Sequence, residues 1–519
     1  MTRRITLPSA RWLVATAVLV AAMAAFAGQA HASTSQESIV QDDRVLQNFG
    51  SVEQNLALDD IKSLGATTIH ALVNWNTLAP DPTSGSMPDG FVGSDPHSYD
   101  PAKFNMIDQL VRGAQQRGLS VILTPAGPGP VWANGKDCQV TERRRAPKGT
   151  CRPDAKLYGQ FVTALARRYS GAYIDEDGEP GVPLPRVSRW SIWNEPNLNS
   201  WIYPSIVSIR GKRVPVSAKI YRDLVYAGGN ALRRNGHKSD QILLGETAPI
   251  GQGTSRTSPV TFYQALFCVD AKGKRLKGGA ARNLGCSKRI KRLPVTGIAH
   301  HPYTKSGTQP PTAKQHSYDV SIAGIGALQK VLKQGAKAKA ISSSASSHIY
   351  FTEFGVSSSP PAKPKRYGVS LARQAEYINE FEYMSYVNPA VRSVSQFQLE
   401  DDAFGENSVG GKLTFQTGLR YTSPGDDPAN PILGPPKPAY QAYKVPLFVV
   451  DKGKTLTIWG GVRGVSSGRA KVLNGKKAFR TVKLRRGYFM TTIKKRKGSW
   501  QLSYGTLTSR VAKPEKMKK

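Results

Sequence analysis

Short apolar runs alternate with segments of helical periodicity, and this alternation recurs eight times between residues 38 and 447. In residues 104–118, for example, Phe104, Ile107 and Val111 share one face of a helix. Strands that alternate with helices pair in parallel, and eight such units are typical of a (β/α)8 barrel, or TIM barrel. The sequence therefore predicts an α/β fold with this barrel over residues 38–447.

The eight strands are predicted from apolar runs that are too short for helices. The first run is the least distinct, and it places a strand near residues 44–49. The other seven strands are predicted at residues 67–75, 119–124, 189–195, 241–245, 295–301, 348–353 and 391–399. Parallel strands bring their carboxyl ends to one rim, which is where barrel enzymes hold their catalytic groups.

The pattern changes after the barrel. Residues 451–512 contain short alternating strands separated by Gly turns, which predicts a small, basic, sandwich-like all-β domain. The last segment, residues 513–519, is lysine-rich and is predicted to be a disordered tail.

The first 32 residues have the layout of a signal peptide. Arg3, Arg4 and Arg11 precede the apolar residues 12–27, and Ala30-His31-Ala32 is a small-x-small cleavage site. We expect a mature chain that begins at about Ser33 and is secreted or associated with the cell wall; an uncleaved membrane anchor is the alternative. No other run reaches the roughly 18 apolar residues that a membrane-spanning helix needs.

The four cysteines form two local pairs in the sequence, Cys138 with Cys151 and Cys268 with Cys286. An exported protein can keep disulfides, and proximity favours these two bonds among the three possible connectivities. The cysteines show neither a CxxC spacing nor a cluster with histidine, so their pattern predicts no metal site. Nothing else in the sequence indicates a cofactor.

Two strands of the predicted barrel end in a glutamate. Residues 189–197 form an apolar run, Arg-Trp-Ser-Ile-Trp, followed by Asn194, Glu195 and Pro196. Pro196 cannot continue a strand, so Asn194 and Glu195 are predicted at its carboxyl end. Glu353 occupies the same place on the seventh strand. Two carboxylates that face each other across a barrel mouth suit glycoside hydrolysis, although Glu195 taken alone could be an ordinary loop acid.

Aromatic residues near the predicted rim suit a carbohydrate, because the apolar faces of sugar rings stack on aromatic side chains. The alternative for each residue taken alone is packing inside the barrel. The candidates are Trp75, Trp132, Trp193, Trp201, Tyr203 and Tyr303.

Three motifs together resemble clan A of the retaining glycoside hydrolases, and most nearly the β-xylosidase-like family 39 and the cellulase-like family 5. The motifs are Trp193-Asn194-Glu195-Pro196-Asn197, His301-Pro302-Tyr303 and Thr352-Glu353-Phe354-Gly355, in this order along the chain. The resemblance implies a general acid/base at Glu195 and a nucleophile at Glu353, with about 5–5.5 Å between the two carboxyl groups.

The resemblance also assigns binding roles. It implies that Asn194 bonds the 2-hydroxyl of the sugar, that Tyr303 keeps Glu353 ionised, and that His301 lines the site. Glu195 is then expected to be protonated at rest and Glu353 charged.

Two positions depart from the clan pattern and leave the sugar undefined. Many clan A enzymes have an arginine on the second strand that contacts the nucleophile, whereas here His70 lies nearest to that place. The eighth strand has residues Gln396 to Glu400 where the clan often has a tryptophan platform. The predicted substrate-binding residues are therefore Asn194, His301, Tyr303, Trp75, Trp132 and His70.

The net charge of +36 is uneven, because residues 451–519 hold 20 Lys and Arg against two acidic residues. A second block, residues 272–292, has nine Lys and Arg and no acid. Export and the lack of a recognition motif argue against nucleic acid as a partner. The basic C-terminal domain is instead expected to hold the protein on an anionic cell-wall polymer or acidic polysaccharide until salt releases it.

The sequence thus predicts a secreted retaining β-glycosidase of a polysaccharide or oligosaccharide. One alternative is a carbohydrate-binding or cell-wall protein that has lost turnover on the same barrel. Another is a hydrolase of acidic polysaccharides, suggested by Arg143, Arg144 and Arg145 in a predicted rim loop.

Overall fold

The protein was analysed as a computed structural model. It describes residues 36–48, 51–135, 138, 148–175, 178, 180–251, 253, 255–361, 368–403, 415–423 and 432–517. The predicted signal peptide and the three rim arginines, Arg143 to Arg145, lie outside the described residues. Within the described residues, no helix is long and apolar enough to cross a membrane.

Eight parallel strands close into a barrel, which confirms the predicted fold class. The strands before the middle of the barrel are β1 (Glu37–Gln41), β2 (Thr68–Asn74), β3 (Ser120–Ala126) and β4 (Arg189–Ile192). A separate hairpin follows, made of β5 (Val207–Ile209) and β6 (Lys212–Val214). The barrel then continues with β7 (Gln241–Thr247), β8 (Gly297–His300), β9 (Ile349–Phe351) and β10 (Val391–Phe397). Neighbouring barrel strands follow chain order, and β1 closes the ring by pairing with both β10 and β2.

Helices cover the outside of the barrel and connect its strands, as the alternating pattern predicts. They are α1 (Ser51–Ser63), the short α2 (Trp75–Leu78), α3 (Asn105–Gln116), α4 (Ala155–Arg168), α5 (Ser217–Arg234), α6 (Pro259–Leu266), α7 (Gly278–Asn283), α8 (Ile325–Lys337), α9 (Leu371–Tyr386) and α10 (Pro438–Lys444). Their apolar faces and the barrel strands share one buried cluster. This packing fixes the strand ends, and therefore the side chains that follow them, at one rim.

The first strand lies earlier than predicted. It is Glu37–Gln41, and residues Arg44–Asn48 form a turn of π-helix instead of a strand. The physical reason is Asp42, whose side chain accepts the backbone N–H groups of Val45, Leu399 and Glu400 at 2.9–3.2 Å. These bonds turn the chain immediately after β1 and attach it to the end of β10.

The C-terminal region is all-β, as predicted. Its strands are β11 (Leu447–Asp451), β12 (Thr455–Gly461), β13 (Ser467–Asn474), β14 (Lys477–Arg485), β15 (Tyr488–Lys494), β16 (Trp500–Tyr504) and β17 (Leu507–Thr508). They join into one seven-stranded antiparallel sheet, not into two stacked sheets. The described part of the predicted tail is ordered, because the backbone of Glu515 pairs with that of Val449 and Asp451 at 2.8–2.9 Å.

A buried ion pair fastens this sheet to the barrel. Arg463 lies 2.8 Å from Glu382 on α9, and both side chains are almost fully buried. Tyr488 donates a hydrogen bond to the same carboxylate at 2.7 Å, and the Arg463 guanidinium stacks over the ring of Tyr443 at 4.0 Å. The two parts approach so closely that a Cβ on Gly65, which has φ +81°, would lie 2.4 Å from the Arg463 carbonyl carbon. The C-terminal domain is therefore packed onto the barrel.

Both predicted disulfides are present, joining Cys138 to Cys151 and Cys268 to Cys286. The first bond lies in the loop after β3, on the side of the barrel mouth. The second lies between α6 and β8, and its Cys286 belongs to the basic block of residues 272–292. That connection runs from a helix to the next strand, so it belongs to the face opposite the mouth.

Candidate active site

The backbone at the end of β4 is folded so that Glu195 enters the mouth. Trp193 and Glu195 have φ values of +65° and +36°, a conformation that residues other than glycine rarely adopt. The turn is held by two hydrogen bonds, from Trp193 N–H to Pro125 O at 3.2 Å and from Glu195 N–H to Glu246 O at 3.1 Å. Such backbone strain is concentrated at functional sites, where the surrounding structure has to hold it.

His301 brings the two glutamates together. Its Nδ1 lies 3.1 Å from Glu195 Oε1 and 3.4 Å from Glu353 Oε2, and the ring is fully buried. Since the two oxygens lie 3.1 and 3.4 Å from the same nitrogen, they are separated by no more than the sum of these distances, 6.5 Å. Both carboxylates keep some exposure, 18% for Glu195 and 15% for Glu353. The pair is therefore close together and open to the mouth.

Tyr303 holds Glu353 from the other side. Its hydroxyl donates a hydrogen bond to Glu353 Oε1 at 2.8 Å, and its ring stacks on that of Phe354 with 5.7 Å between centroids. Burial and the neighbouring carboxylate of Glu353 both raise the pKa of Tyr303. The phenol consequently remains a donor across the physiological pH range.

The charges of the site are coupled through His301. Burial opposes the charged form of its ring, but Glu353 and Glu195 outweigh burial and raise the pKa of His301 to about 9. Burial raises the pKa of Glu353, and the negative charge of Glu195 raises it further, while His301 and Tyr303 oppose the shift. This direction differs from the expectation that Tyr303 keeps Glu353 ionised. The result is a buried, positively charged His301 ring between the two glutamate side chains.

Asn194 lies beside this pair and is buried. Among the described residues, none donates a hydrogen bond to its Oδ1. The His301 Nε2 atom likewise forms no hydrogen bond with them. A buried polar atom without a partner is costly, so both atoms are suited to hydrogen bonds with a bound hydroxyl group.

His70 does not reach the mouth, and its prediction as a substrate-binding residue is wrong. The ring is fully buried in the barrel, with Nδ1 2.7 Å from Gln41 Oε1 and Nε2 2.9 Å from Thr124 Oγ1 and 3.1 Å from Glu246 Oε1. Burial opposes the charged form of His70, but Glu246 outweighs it and raises the pKa. His70 and Glu246 are therefore buried partners inside the barrel, and the Glu246 backbone carbonyl accepts the Glu195 N–H.

Trp75 and Trp132 are packing residues, contrary to their predicted roles in binding sugar. Trp75 is 1% exposed and stacks on Phe161 with 5.6 Å between centroids. Trp132 meets it edge to face at 6.1 Å, and its Nε1 donates to Pro80 O at 3.1 Å. Trp193 is also fully buried, against Gly127, where a Cβ would lie 2.3 Å from its ring. Trp201, Tyr203 and Tyr303 keep partial exposure.

The acidic residues at the end of β10 are structural. Glu400 accepts the Gly434 N–H at 2.5 Å and lies 3.4 Å from Arg44. Asp401 forms a fully buried ion pair with Lys437 at 2.6 Å. Within the described residues, no group of three or more His, Cys, Asp and Glu side chains is arranged to hold a metal ion.

Comparisons with known proteins leave the family open. No protein-family profile and no curated protein sequence matches the chain. A glucosidase from Croceicoccus marinus is 12% identical, over 83% of this chain and 76% of its own, with a TM-score of 0.43. A GH30 endoxylanase from Clostridium papyrosolvens C71 is 9% identical, over 89% and 94% of the two chains, with a TM-score of 0.43.

A β-glucuronidase from Bacteroides uniformis is 11% identical with a TM-score of 0.41, and the match covers 94% of this chain but only 46% of that protein. This chain therefore spans less than half of the length of that enzyme. Because these identities do not exceed 12% and the TM-scores are below 0.5, the similarities establish no family. The function has to be inferred from the site itself.

Proposed function

We propose that this protein is a retaining β-glycosidase. The observation that carries the proposal is the contact of one His301 nitrogen with both Glu195 and Glu353, which limits the separation of the contacted oxygens to 6.5 Å. Retaining glycosidases hold their two carboxyl groups about 5–5.5 Å apart, whereas inverting enzymes need about 6.5–9.5 Å to fit a water molecule. The close pair favours direct attack by a carboxylate.

The reaction then has two steps. Glu195 gives its proton to the glycosidic oxygen while a Glu353 oxygen attacks the anomeric carbon, so the glycosidic bond breaks and an ester bond forms. In the second step the Glu195 carboxylate takes a proton from water, and the water oxygen attacks the anomeric carbon. The ester bond breaks, and the Glu353 carboxylate is restored.

The neighbouring residues support these roles. Tyr303 donates to Glu353 Oε1 and fixes its orientation. The His301 imidazolium contacts both side chains and stabilises whichever of the two is a carboxylate in each step. Asn194 offers its buried Oδ1 to a sugar hydroxyl beside Glu195. No cofactor takes part in this mechanism.

The stereochemical outcome tests the proposal. Wild-type protein is expected to cleave at least one member of a panel of aryl β-glycosides and to release the β anomer first, as proton NMR of the reaction mixture would record. First release of the α anomer would contradict the two-step mechanism. Failure to cleave any member of a broad panel, with binding of a glycan retained, would favour a carbohydrate-binding protein.

The acid limb of the pH profile is expected above the value of an ordinary glutamate, about pH 4.3. Burial raises the pKa of Glu353, and a protonated carboxyl group cannot attack. Activity is therefore present above this pKa and is lost as the pH falls through it. Tyr303→Phe removes a hydrogen bond that lowers the pKa, so its acid limb of kcat/KM should lie at still higher pH. An acid limb that does not move in Tyr303→Phe would contradict this account.

We also propose that the protein is exported and that its C-terminal sheet binds an anionic polymer. The two disulfides suit an oxidising compartment, and mass spectrometry of exported protein should give Ser33 as the first residue. On the exposed face of the C-terminal sheet, Arg469 of β13 pairs directly with Lys483 of β14. Like charges in this position destabilise a sheet, so a polyanion that neutralises them is a fitting partner.

Retention on a polygalacturonate resin should depend on this face. The double variant Arg469→Gln/Lys483→Gln is expected to elute at a lower salt concentration than wild type, because two cationic contacts are lost. The control Lys330→Gln/Lys333→Gln removes the same charge from the exposed face of α8. Equal elution of both double variants would show that net charge alone causes retention. Substitutions are preferred to truncation, since removal of the domain would expose the buried surface around Glu382.

A further inference from the structure

The loops that follow β4 and β7 carry no acidic residue apart from Glu195, and the loop that follows β8 carries one, Asp319. The chain has no Asp or Glu between Glu195 and Asp223, between Glu246 and Asp270, or between His301 and Asp319. These three stretches cover most of those loops and the first residues of helix α5. Their basic residues are Arg210, Lys212, Arg213, Lys219, Arg222, Arg256, Lys305 and Lys314.

Two of these arginines line a cavity of about 340 Å³ formed by the same loops. Arg213 belongs to β6, and its Nη2 donates a hydrogen bond to Gly253 O. Arg256 is half-buried, and within the described residues neither arginine forms a salt bridge. The remaining wall includes Ser258 and Thr261 at the start of α6. The partial positive charge at a helix N-terminus adds to the positive field of the two guanidinium groups.

The cavity adjoins the candidate site. Leu198 pairs with Arg256, and Thr257 N–H donates to Asn197 O at 2.8 Å. The Leu198 N–H in turn donates to Glu195 O at 3.0 Å, which closes a turn. A turn and a cross-strand pair together place the Arg256 Cα within about 12 Å of the Glu195 Cα. An oligosaccharide bound across the mouth can therefore reach both places.

We infer that this cavity is a subsite for the anionic substituent of an acidic glycan, with Arg213 and Arg256 as its ligands. The inference rests on the proposed glycosidase function and specifies its substrate class. A guanidinium group matches a carboxylate in two parallel hydrogen bonds and also binds a sulfate group. Asp319 lies behind the cavity wall, where it is buried and accepts the Gly251 N–H at 2.9 Å. Its single negative charge is outnumbered by the two guanidinium groups that line the cavity.

The sharpest test compares binding of short β-linked uronate oligosaccharides with binding of the same oligosaccharides after carboxyl reduction. Calorimetry in a Glu353→Gln background avoids hydrolysis, and O-sulfated versions of the reduced oligosaccharides separate sulfate from carboxylate as the recognised group. At least one uronate series is expected to bind about tenfold or more tightly than its reduced form, as charge-assisted hydrogen bonds are worth roughly that much. Arg213→Gln/Arg256→Gln should abolish the difference.

Lys212→Gln is the matched control, because this exposed residue precedes Arg213 on the same hairpin but does not line the cavity. It should keep the preference for the charged glycan. Equal binding of charged and reduced forms, or an equal loss in Lys212→Gln and the double arginine variant, would overturn the inference. Preference for the sulfated form alone would overturn a uronate substrate and assign sulfate as the recognised anion.

Turnover of aryl β-glycosides is measured in parallel with wild-type protein, in which Glu353 is intact. It tests the proposed function independently, since a small aryl substrate does not depend on an anionic substituent. Turnover without any preference for charged glycans would refute the subsite and leave the glycosidase proposal intact. Preferential binding of charged glycans without turnover of any aryl β-glycoside would support the subsite and refute the glycosidase proposal.

Discussion

Replacement of Glu353 by glutamine is expected to lower kcat for aryl β-glycosides by roughly 10,000-fold or more, the scale seen when a catalytic nucleophile is removed. The amide keeps the size of the side chain and can still accept the Tyr303 hydrogen bond, so the fold should be preserved. What is lost is the negative charge that attacks the anomeric carbon. Steady-state kinetics and a thermal unfolding curve together separate this effect from unfolding.

Azide offers a sharper test of the same position. In Glu353→Ala, azide can enter the space of the missing carboxylate and attack the anomeric carbon, giving an α-glycosyl azide from a β-glycoside. Recovery of turnover with this product is expected. Glu376→Gln on the outer helix α9 serves as a control, because its partner is the exposed Arg373 at 2.8 Å. If Glu353→Gln retains most of the wild-type kcat, Glu353 is not the nucleophile.

Most of the fold could be predicted because each barrel strand and helix carries its own periodic pattern. The predicted position of the first strand is wrong because Glu37–Gln41 is a short strand. The chain after it turns through hydrogen bonds to the distant residues Leu399 and Glu400, which the local sequence does not reveal. The C-terminal strands could be predicted from the alternation of apolar and polar residues. Their union into one sheet depends on pairings between strands far apart in sequence, such as β12 with β15, which local patterns do not contain.

The candidate site was predictable where chemistry follows a strand end, as at Glu195, Glu353 and Tyr303. Sequence cannot tell whether a large side chain near that end faces the mouth or the helices. For this reason the sequence predicts Trp75 and His70 at the mouth, whereas in the structure Phe161 covers Trp75 and Glu246 covers His70. The cavity with Arg213 and Arg256 was not predicted as a site. The scarcity of acidic residues in the loops that form it can be read from the sequence.

The protonation states of the site also depend on burial and on neighbouring charges, which only the folded structure defines. The resemblance predicts that Tyr303 keeps Glu353 ionised, but burial and the negative charge of Glu195 are stronger and raise the pKa of Glu353. The raised pKa of His301, to about 9, keeps a positive charge between the two carboxylates. The pKa of Glu353 alone therefore does not decide which glutamate donates the proton. That assignment requires the chemical behaviour of both residues.

Replacement of Glu195 by glutamine is expected to have an effect that depends on the leaving group. General acid catalysis contributes about 100- to 10,000-fold, so kcat/KM should fall by that factor for oligosaccharides and phenyl glycosides. A 2,4-dinitrophenyl leaving group needs no proton, and its departure should be slowed much less. Water attack then limits turnover, and a burst of dinitrophenol should precede the steady state. Equal losses for both classes of substrate would contradict a role for Glu195 as the acid.

The azide product distinguishes the two glutamates without reference to their pKa values. In Glu195→Ala the nucleophile Glu353 remains, so azide should attack the glycosyl-enzyme ester and give a β-glycosyl azide. The same reagent should give the α product with Glu353→Ala. If both products have the opposite configurations, the roles of the two residues are exchanged. Since His301 contacts both carboxylates, the hydrogen bond from Tyr303 to Glu353 would then have to orient the proton donor.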